Sequence, residues 1–346
     1  MNQEAVAEAS SAPDLPAIAG GQPAKQSPYG TERRYGEEEL YELEAALRQG
    51  TLFYTQGQKV RQLEAAFAQQ TGAAYAVATS SGTASIHAAL IAAGISPGDE
   101  VIVSPITDMG SVAPILYQGA VPIFADLHPT TYTLDPADVA TRMTPKTRAI
   151  IAVHLGGNAC DLTALQTLAQ RHNAYLIEDC AQAFGCMYGG RPIGTIGQIG
   201  CFSLNEFKHI ACGDGGLVVT NDAQVATRLR LATDKCYNRQ ADTPAARNPV
   251  FLANNYRMTE LQGAVALAQL GKLDDIVQRR RAWVAALHTA LTDLPGIILP
   301  TETPGCQSSW WFYLLRVQPA TLGADAETFA AALRAEGLSA SAHYIG

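Results

Sequence analysis

At 346 residues the chain is too long for one small core, and its 47% hydrophobic and 16% charged content is that of a soluble α/β enzyme. A net charge of −8 and the lack of any long basic run argue against nucleic acid or an anionic membrane as partner, the densest cluster being Arg279–Arg281 on a helical pattern. The seven cysteines contain no C-x-x-C pair and lie largely in apolar runs, so reduced buried thiols are expected rather than a disulfide framework or a metal site, and no apolar stretch is long enough to cross a bilayer. A cytoplasmic protein is expected.

Residues 1–30 lack periodicity and carry Pro13, Pro16, Pro23 and Pro28, which predicts a flexible tail or an arm that orders on a partner subunit. Helices are predicted over Glu37–Arg48 and Lys59–Gln70, with Gly50 and Gly72 placed to cap their ends. From Tyr75 the pattern alternates. Strands are expected at Tyr75–Ala78, Glu100–Val103, Val121–Phe124, Arg148–Val153 and Ala174–Ile177, with helices at Ala84–Ala93, Gly110–Gln118, Pro136–Arg142 and Leu162–Arg171. Such alternation predicts an α/β fold with a mostly parallel sheet sandwiched by helices. Two further apolar runs, Ile199–Phe202 and Leu217–Thr220, flank a glycine-closed loop. A long helix over Glu260–Leu291, a strand within Trp310–Val317 and a helix over Ala326–Glu336 complete the pattern. The expected division is a tail at 1–30, a large domain at 31–245 and a smaller α+β C-terminal domain at 246–346. One strand and one helix make a thin sheet layer, so that last domain reads as incomplete.

In open α/β sheets ligands bind at the carboxyl ends of the strands, and three groups fall there. Ser80-Ser81-Gly82-Thr83 joins a strand to a helix start, where backbone N–H groups and the helix dipole make either an anion site or a plain N-cap turn. Asp179 closes the apolar strand AYLIED, as a buried carboxylate needing a partner or as a helix cap. Lys208 lies in SLNEFKHIACGDGG, where a confined, partly desolvated lysine becomes an amine nucleophile, the alternative being a surface lysine paired with Glu206 or Asp214. A phosphate cradle, a carboxylate able to keep a pyridine nitrogen protonated and a lysine able to form a Schiff base are together the parts that hold pyridoxal phosphate.

From about Glu39 onward the chain resembles the DegT/DnrJ/StrS family of pyridoxal-phosphate-dependent sugar aminotransferases, which have the aspartate aminotransferase-like fold (fold type I). The resemblance is carried by SSGTAS at 80–85, PGDEVIV at 97–103, VHLGG at 153–157, IEDCAQAFG at 177–185, FSLNEFKHIACGDGG at 202–216 and NNYRMTELQGAVALAQL at 254–270. It implies that Lys208 is the Schiff-base lysine and proton shuttle, that Asp179 pairs with the pyridine nitrogen, and that Gln182 lies against the ring. It further implies that Gly82, Thr83 and Ser203 hold the phosphate, and that Asn255 reaches a phosphate across a homodimer interface, so that two chains build each site. A few relatives carry histidine in place of the lysine and act as dehydratases; here Lys208 is present and His209 follows it. Where many members stack an aromatic residue on the ring, this chain has Asp108 in PITDMGS, so Asp108 or Met109 covers the ring, or the ring packs differently, or Asp108 is simply a helix cap.

The activity implied is amino transfer from glutamate or glutamine to a keto-sugar, nucleotide-linked or phosphorylated, or to a keto-cyclitol. Alternatives on the same fold are a pyridoxal-phosphate-dependent sugar dehydratase or aromatising synthase, and a cofactor-binding regulator without catalysis. Phe53, Tyr54, His154, Tyr188, Trp310, Trp311, His343 and Tyr344 are candidate cleft residues, each equally readable as packing.

Overall fold

The structure is a computed structural model describing residues 15–28, 34–239 and 248–344. Its first helices are α1 (Glu37–Arg48) and α2 (Lys59–Thr71). There follow β1 (Tyr75–Thr79), α3 (Gly82–Ala92), β2 (Glu100–Val103), α4 (Met109–Tyr117), β3 (Val121–Phe124), α5 (Pro136–Arg142), β4 (Thr147–Val153), α6 (Leu162–Arg171) and β5 (Tyr175–Asp179). A hairpin of β6 (Met187–Tyr188) and β7 (Arg191–Pro192) precedes β8 (Ile199–Ser203), β9 (Gly216–Thr220) and α7 (Ala223–Thr233). The remainder is α8 (Glu260–Leu270), α9 (Leu273–Leu291), β10 (Ile297–Ile298), β11 (Cys306–Gln307), β12 (Arg316–Val317), α10 (Pro319–Leu322) and α11 (Ala326–Ala335).

Seven strands form one sheet in the order β1-β9-β8-β5-β4-β2-β3. The pairs from β3 through β2, β4 and β5 to β8 are parallel, and β9 runs antiparallel to both β8 and β1. The inner parallel strands read as apolar runs because both faces are covered, while β3 at the edge leaves Val121 and Phe124 exposed. In β4, Ile150 and Ala152 join one core with Leu63 and Phe67 of α2 and Leu162 and Leu165 of α6. Ile151 and Val153 face the other core, with Ile86 and Leu90 of α3, Ile115 of α4 and Leu229 of α7. The expected mostly parallel sheet between helices is thus the observed architecture.

Contacts divide the chain into two compact units. The larger is Tyr35–Thr292 with Leu299–Leu314; the smaller comprises the described residues up to Arg34, Asp293–Ile298 and the described residues from Leu315 onward. This grouping differs from a boundary at residue 245, because α8 packs on α1 and α2 within the larger unit. The fully buried Glu260 carboxylate accepts the Lys59 and Val60 N–H groups at the start of α2, at 2.7 and 3.2 Å. The helix expected over Glu260–Leu291 is interrupted at Gly271–Lys272, where the Lys272 ammonium turns to the buried Glu39 carboxylate at 2.7 and 2.9 Å.

Two other expectations change. Of the tail expected at 1–30, residues 1–14 and 29–30 lie outside the described residues, as do 31–33 and 240–245 of the expected large domain. Residues 15–28 are held within the smaller unit: the Glu336 carboxylate accepts the N–H groups of Ala17 and Ala24 at 2.7 and 2.9 Å, and its carbonyl accepts that of Lys25 at 2.9 Å. Of the strand expected within Trp310–Val317, only Arg316–Val317 pairs in a ladder, with β10. Trp310 adopts φ +52°, and the N–H groups of Trp311 and Phe312 both donate to the Gly156 carbonyl instead, at 2.7 and 3.2 Å.

Candidate active site

The ends of β5 and β8 and the starts of α3 and α4 meet at the carboxyl edge of the sheet. Ser81 caps α3 by accepting the Ala84 N–H at 3.1 Å, which leaves the first-turn N–H groups of Gly82 and Thr83 at the helix end. Gly82 is needed for close approach, since a Cβ there would sit 2.6 Å from Ser203 Cβ, on the last residue of β8. Gly216 plays the same part from β9, where a Cβ would come 2.4 Å from the Ser81 carbonyl oxygen. A Cβ on Gly110 would lie 2.8 Å from Thr83 Oγ1 and 3.0 Å from Asp108 Oδ1, so the start of α4 abuts that of α3. A helix N-terminus, two hydroxyls and no intervening side chain form a cradle suited to a phosphate.

Asp179 ends β5 and is 5% exposed. Its Oδ1 accepts the Ala181 N–H at 3.1 Å and its Oδ2 accepts the Ser111 hydroxyl at 2.6 Å. With Ser111 donating to the carboxylate, the Thr107 hydroxyl donates to Ser111 at 2.7 Å, so a two-hydroxyl relay from the first turn of α4 and the loop before it orients the carboxylate. Burial pushes the Asp179 carboxyl above its ordinary range, with Ser111, Ala181 and the positive charge of Lys208 drawing it back.

Lys208 sits in the loop between β8 and β9, closed by the Leu204 N–H on the Gly215 carbonyl and the Glu206 N–H on the Gly213 carbonyl, both at 2.8 Å. Burial lowers the Lys208 ammonium below its ordinary value, while the carboxylates of Asp179 and Asp108 favour its charged form. A partly desolvated amine is a better nucleophile and base than a solvated lysine. The indole ring of Trp311 lies against it, with Nζ 3.8 Å from the ring centroid.

The other expected residues take varied places. Gln182 is buried, and its Oε1 accepts the Gly156 N–H at 2.7 Å, tying the segment after β5 to the turn after β4. Asp108 caps α4 by accepting the Gly110 N–H at 2.7 Å, and Met109 beside it is exposed. Asn255 is exposed and bridges to Asp234, while the neighbouring Tyr256 carbonyl accepts the Ser80 N–H at 2.8 Å, beside the α3 cradle. Tyr54 donates to Asp234 at 3.0 Å, Tyr188 to Asp161 at 3.0 Å, and Trp310 packs edge-on against His288; these are structural contacts. His343 lies 3.5 Å from Glu327 within the smaller unit.

Glu178 and Asp179 divide their roles by facing opposite sides of β5. Glu178 Oε2 accepts the Gly194 N–H at 2.6 Å, and Oε1 accepts those of Ile196 and Gly197 at 2.8 and 2.6 Å. The Cys160 N–H donates to His154 Nδ1 at 3.1 Å, which leaves the proton on Nε2 to be given to Glu178 Oε2 at 3.1 Å. His154, Glu178 and Cys180 cluster within 4.8 Å, but both ring nitrogens and both carboxylate oxygens are spent on protein partners. Sequence reasoning did not identify Ser111 and Thr107 as site residues. Their places in PITDMGS, Thr107 just before the Asp108 cap and Ser111 in the first turn of α4, were the available signal.

The model of the DegT/DnrJ/EryC1/StrS aminotransferase family matches residues 33–346. The chain is 36% identical over 320 residues to the spore coat polysaccharide biosynthesis protein SpsC of Bacillus subtilis (strain 168), covering 90% of this chain and 81% of that one. Among solved structures it superposes with TM-score 0.82 and 32% identity on DesI studied in the presence of its TDP-sugar product, covering 94% and 81% of the two chains. It superposes with TM-score 0.76 and 25% identity on the E. coli GDP-4-keto-6-deoxy-D-mannose-3-dehydratase with bound hydrated PLP, covering 83% and 78%. The cradle at Gly82, the buried Asp179 and the confined Lys208 fit that cofactor's phosphate, ring nitrogen and aldehyde in turn. The chain therefore belongs to the DegT/DnrJ/EryC1/StrS aminotransferase family, as an enzyme whose cofactor is pyridoxal phosphate.

Proposed function

We propose that this protein moves an amino group from glutamate or glutamine to a keto-sugar, nucleotide-linked or phosphorylated, or to a keto-cyclitol. The observation that carries the reading is the convergence, at the carboxyl edge of the sheet, of the close Gly82–Ser203 approach, the buried Asp179 carboxylate and the loop amine of Lys208, on which Asp179 acts electrostatically. Bound pyridoxal phosphate supplies an aldehyde to carry the amino group and a ring that withdraws electrons from the carbon losing its proton.

The residues act as follows. Gly82, Thr83 and Ser203 hold the phosphate through N–H and hydroxyl donors, and Asn255 adds a donor from a second copy of the chain in a homodimer. Asp179 keeps a negative charge at the ring nitrogen, held in orientation by Ser111, and Gln182 flanks the ring. Lys208 would hold the cofactor through Nζ and, as a free amine, would take the proton from the donor's α-carbon at that atom. The same amine returns a proton when the keto carbon of the acceptor becomes an amine carbon. Among the described residues no helix is long and apolar enough to cross a membrane, which accords with action on water-soluble sugars in the cytoplasm.

Mass spectrometry of amino transfer from ¹⁵N-labelled glutamate and from glutamine labelled at its amino nitrogen, across a panel of keto-sugars and keto-cyclitols, tests this reading. Label is expected in the amino-sugar or amino-cyclitol product, with Lys208→Ala inactive. Loss of water from the acceptor without incorporated nitrogen would show the dehydratase chemistry instead.

A further inference from the structure

We propose that Trp311 is a positioning residue for the Lys208 amine, its indole face being the seat on which the protonated side chain rests whenever it is not bonded to the cofactor. The inference rests on the reading of Lys208 as the cofactor lysine and adds to it a residue with a defined electrostatic task.

The geometry supports a built seat rather than a passing contact. Lys208 Nζ lies 3.8 Å from the Trp311 ring centroid, well inside the range in which an ammonium is drawn to the negative face of an indole. The ring is fixed on the same loop as the lysine, because its Nε1–H donates at 2.8 Å to the carbonyl of Phe207, the residue before Lys208. Its backbone is fixed as well: the Trp311 N–H donates to the Gly156 carbonyl at 2.7 Å, and Arg280 donates to the carbonyls of Trp310 and Trp311 at 2.9 and 3.3 Å. Phe312 packs against the indole with ring centroids 3.8 Å apart. A side chain anchored in this way has little rotamer entropy left to lose when the amine settles on it.

The charged groups around the amine give the seat its purpose. Asp179 from the end of β5 and Asp108 from the cap of α4 both act on Lys208 electrostatically. Of the titratable neighbours on its own loop, Glu206 is bonded by the Tyr35 hydroxyl, and His209 Nε2 lies 3.1 Å from the Ser309 carbonyl. Both carboxylates attract the ammonium, and Asp179 is the one proposed to face the ring nitrogen. The indole gives the ammonium a neutral alternative.

The test reads the protonation of Lys208 in the apoenzyme. Only the neutral amine attacks the aldehyde carbon of added pyridoxal phosphate, forming the C=N bond and releasing water, so the pH midpoint of the condensation rate, followed by visible absorbance, reports this amine. Trp311→Leu keeps the site apolar and removes the quadrupole; its midpoint is expected about half to one and a half pH units below that of the wild type. Trp311→Phe should fall between them, and Trp310→Phe should match the wild type. A Trp311→Leu midpoint equal to or above the wild-type value overturns the proposal.

A second measurement keeps the seat intact. In a Trp283→Phe/Trp310→Phe chain, which retains Trp311 alone of the three tryptophans, apo emission should titrate with the same midpoint, and Lys208→Met should abolish that titration. Emission that does not titrate, or that titrates equally with Lys208→Met, also overturns the proposal. Failure of the underlying reading looks different: the cofactor, fixed by borohydride, would then be found on another residue while the fluorescence titration still decided the contact.

Discussion

Replacing Gly82 by alanine tests the cofactor cradle by steric means alone. Gly82 is the first residue of α3 and its backbone suits any amino acid, so alanine brings no backbone strain and only the new methyl group matters. That carbon would stand 2.6 Å from Ser203 Cβ, 3.0 Å from its Oγ and 3.2 Å from its Cα. Overpacking of this kind costs about 1–3 kcal/mol, and relieving it means pushing the α3 N-terminus off Ser203 and opening the cradle. If that cost falls on the loaded state, Gly82→Ala should bind pyridoxal phosphate about 5- to 150-fold more weakly. Ser203→Gly alone, which removes the hydroxyl proposed to donate to the charged phosphate, should weaken binding by about 10- to 100-fold. The double variant is the decisive one. With Ser203 reduced to glycine, only the 3.2 Å approach to Cα remains, and a shift of a few tenths of an ångström absorbs it. Gly82→Ala/Ser203→Gly should therefore bind within about threefold of Ser203→Gly, a strongly non-additive result. Equilibrium titration of the apoprotein by visible absorbance measures all four corners of the cycle. Losses that add, or a Gly82→Ala chain that binds like the wild type, would refute the reasoning.

Asp179→Asn keeps the shape and the Ser111 contact but removes the buried charge proposed to face the ring nitrogen, and kcat should fall about 10²- to 10³-fold by steady-state kinetics. Glu178→Ala strands two buried backbone N–H groups, a third that is partly buried, and His154, and urea unfolding should show a loss of about 3–5 kcal/mol. For Glu39, burial alone would raise the carboxyl, but Lys272, Gly36 and Gln269 outweigh it and hold it below the ordinary value. Its contribution is then fully present above the ordinary glutamate pKa of about 4.3 and is lost as pH falls through the lower folded value. Glu39→Gln should accordingly be less stable than the wild type at neutral pH, with the two denaturation midpoints converging in acid.

Much of the site was legible because its parts are local. A strand ending in Asp179, a small-residue turn opening a helix at Gly82 and a lysine in a glycine-closed loop are each readable from a few consecutive residues, and Asp108 as a helix cap follows from its place ahead of Gly110. What the sequence concealed depends on chain crossings. Ser111 and Asp179 are 68 residues apart and meet only because β2 and β5 both flank β4. Phe207 and Trp311 are 104 apart and meet because the segment 308–312 is stitched to the turn at Gly156 and Gly157 rather than to a strand. Strand periodicity put Glu178 and Asp179 on opposite faces, but not their partners: three loop N–H groups for Glu178 and the Ser111 hydroxyl for Asp179. The contacts of residues 15–28 were hidden for a similar reason. Its composition is that of a flexible chain, yet Glu336, more than 300 residues away, satisfies its backbone at Ala17 and Ala24.

The most direct test of the account is to load the protein with pyridoxal phosphate, reduce it with borohydride and map the modified peptide by mass spectrometry. The account predicts one cofactor per chain, on the peptide containing Lys208, and no stable adduct in Lys208→Ala. Reduction that fixes the cofactor to another lysine, or to none, would contradict it.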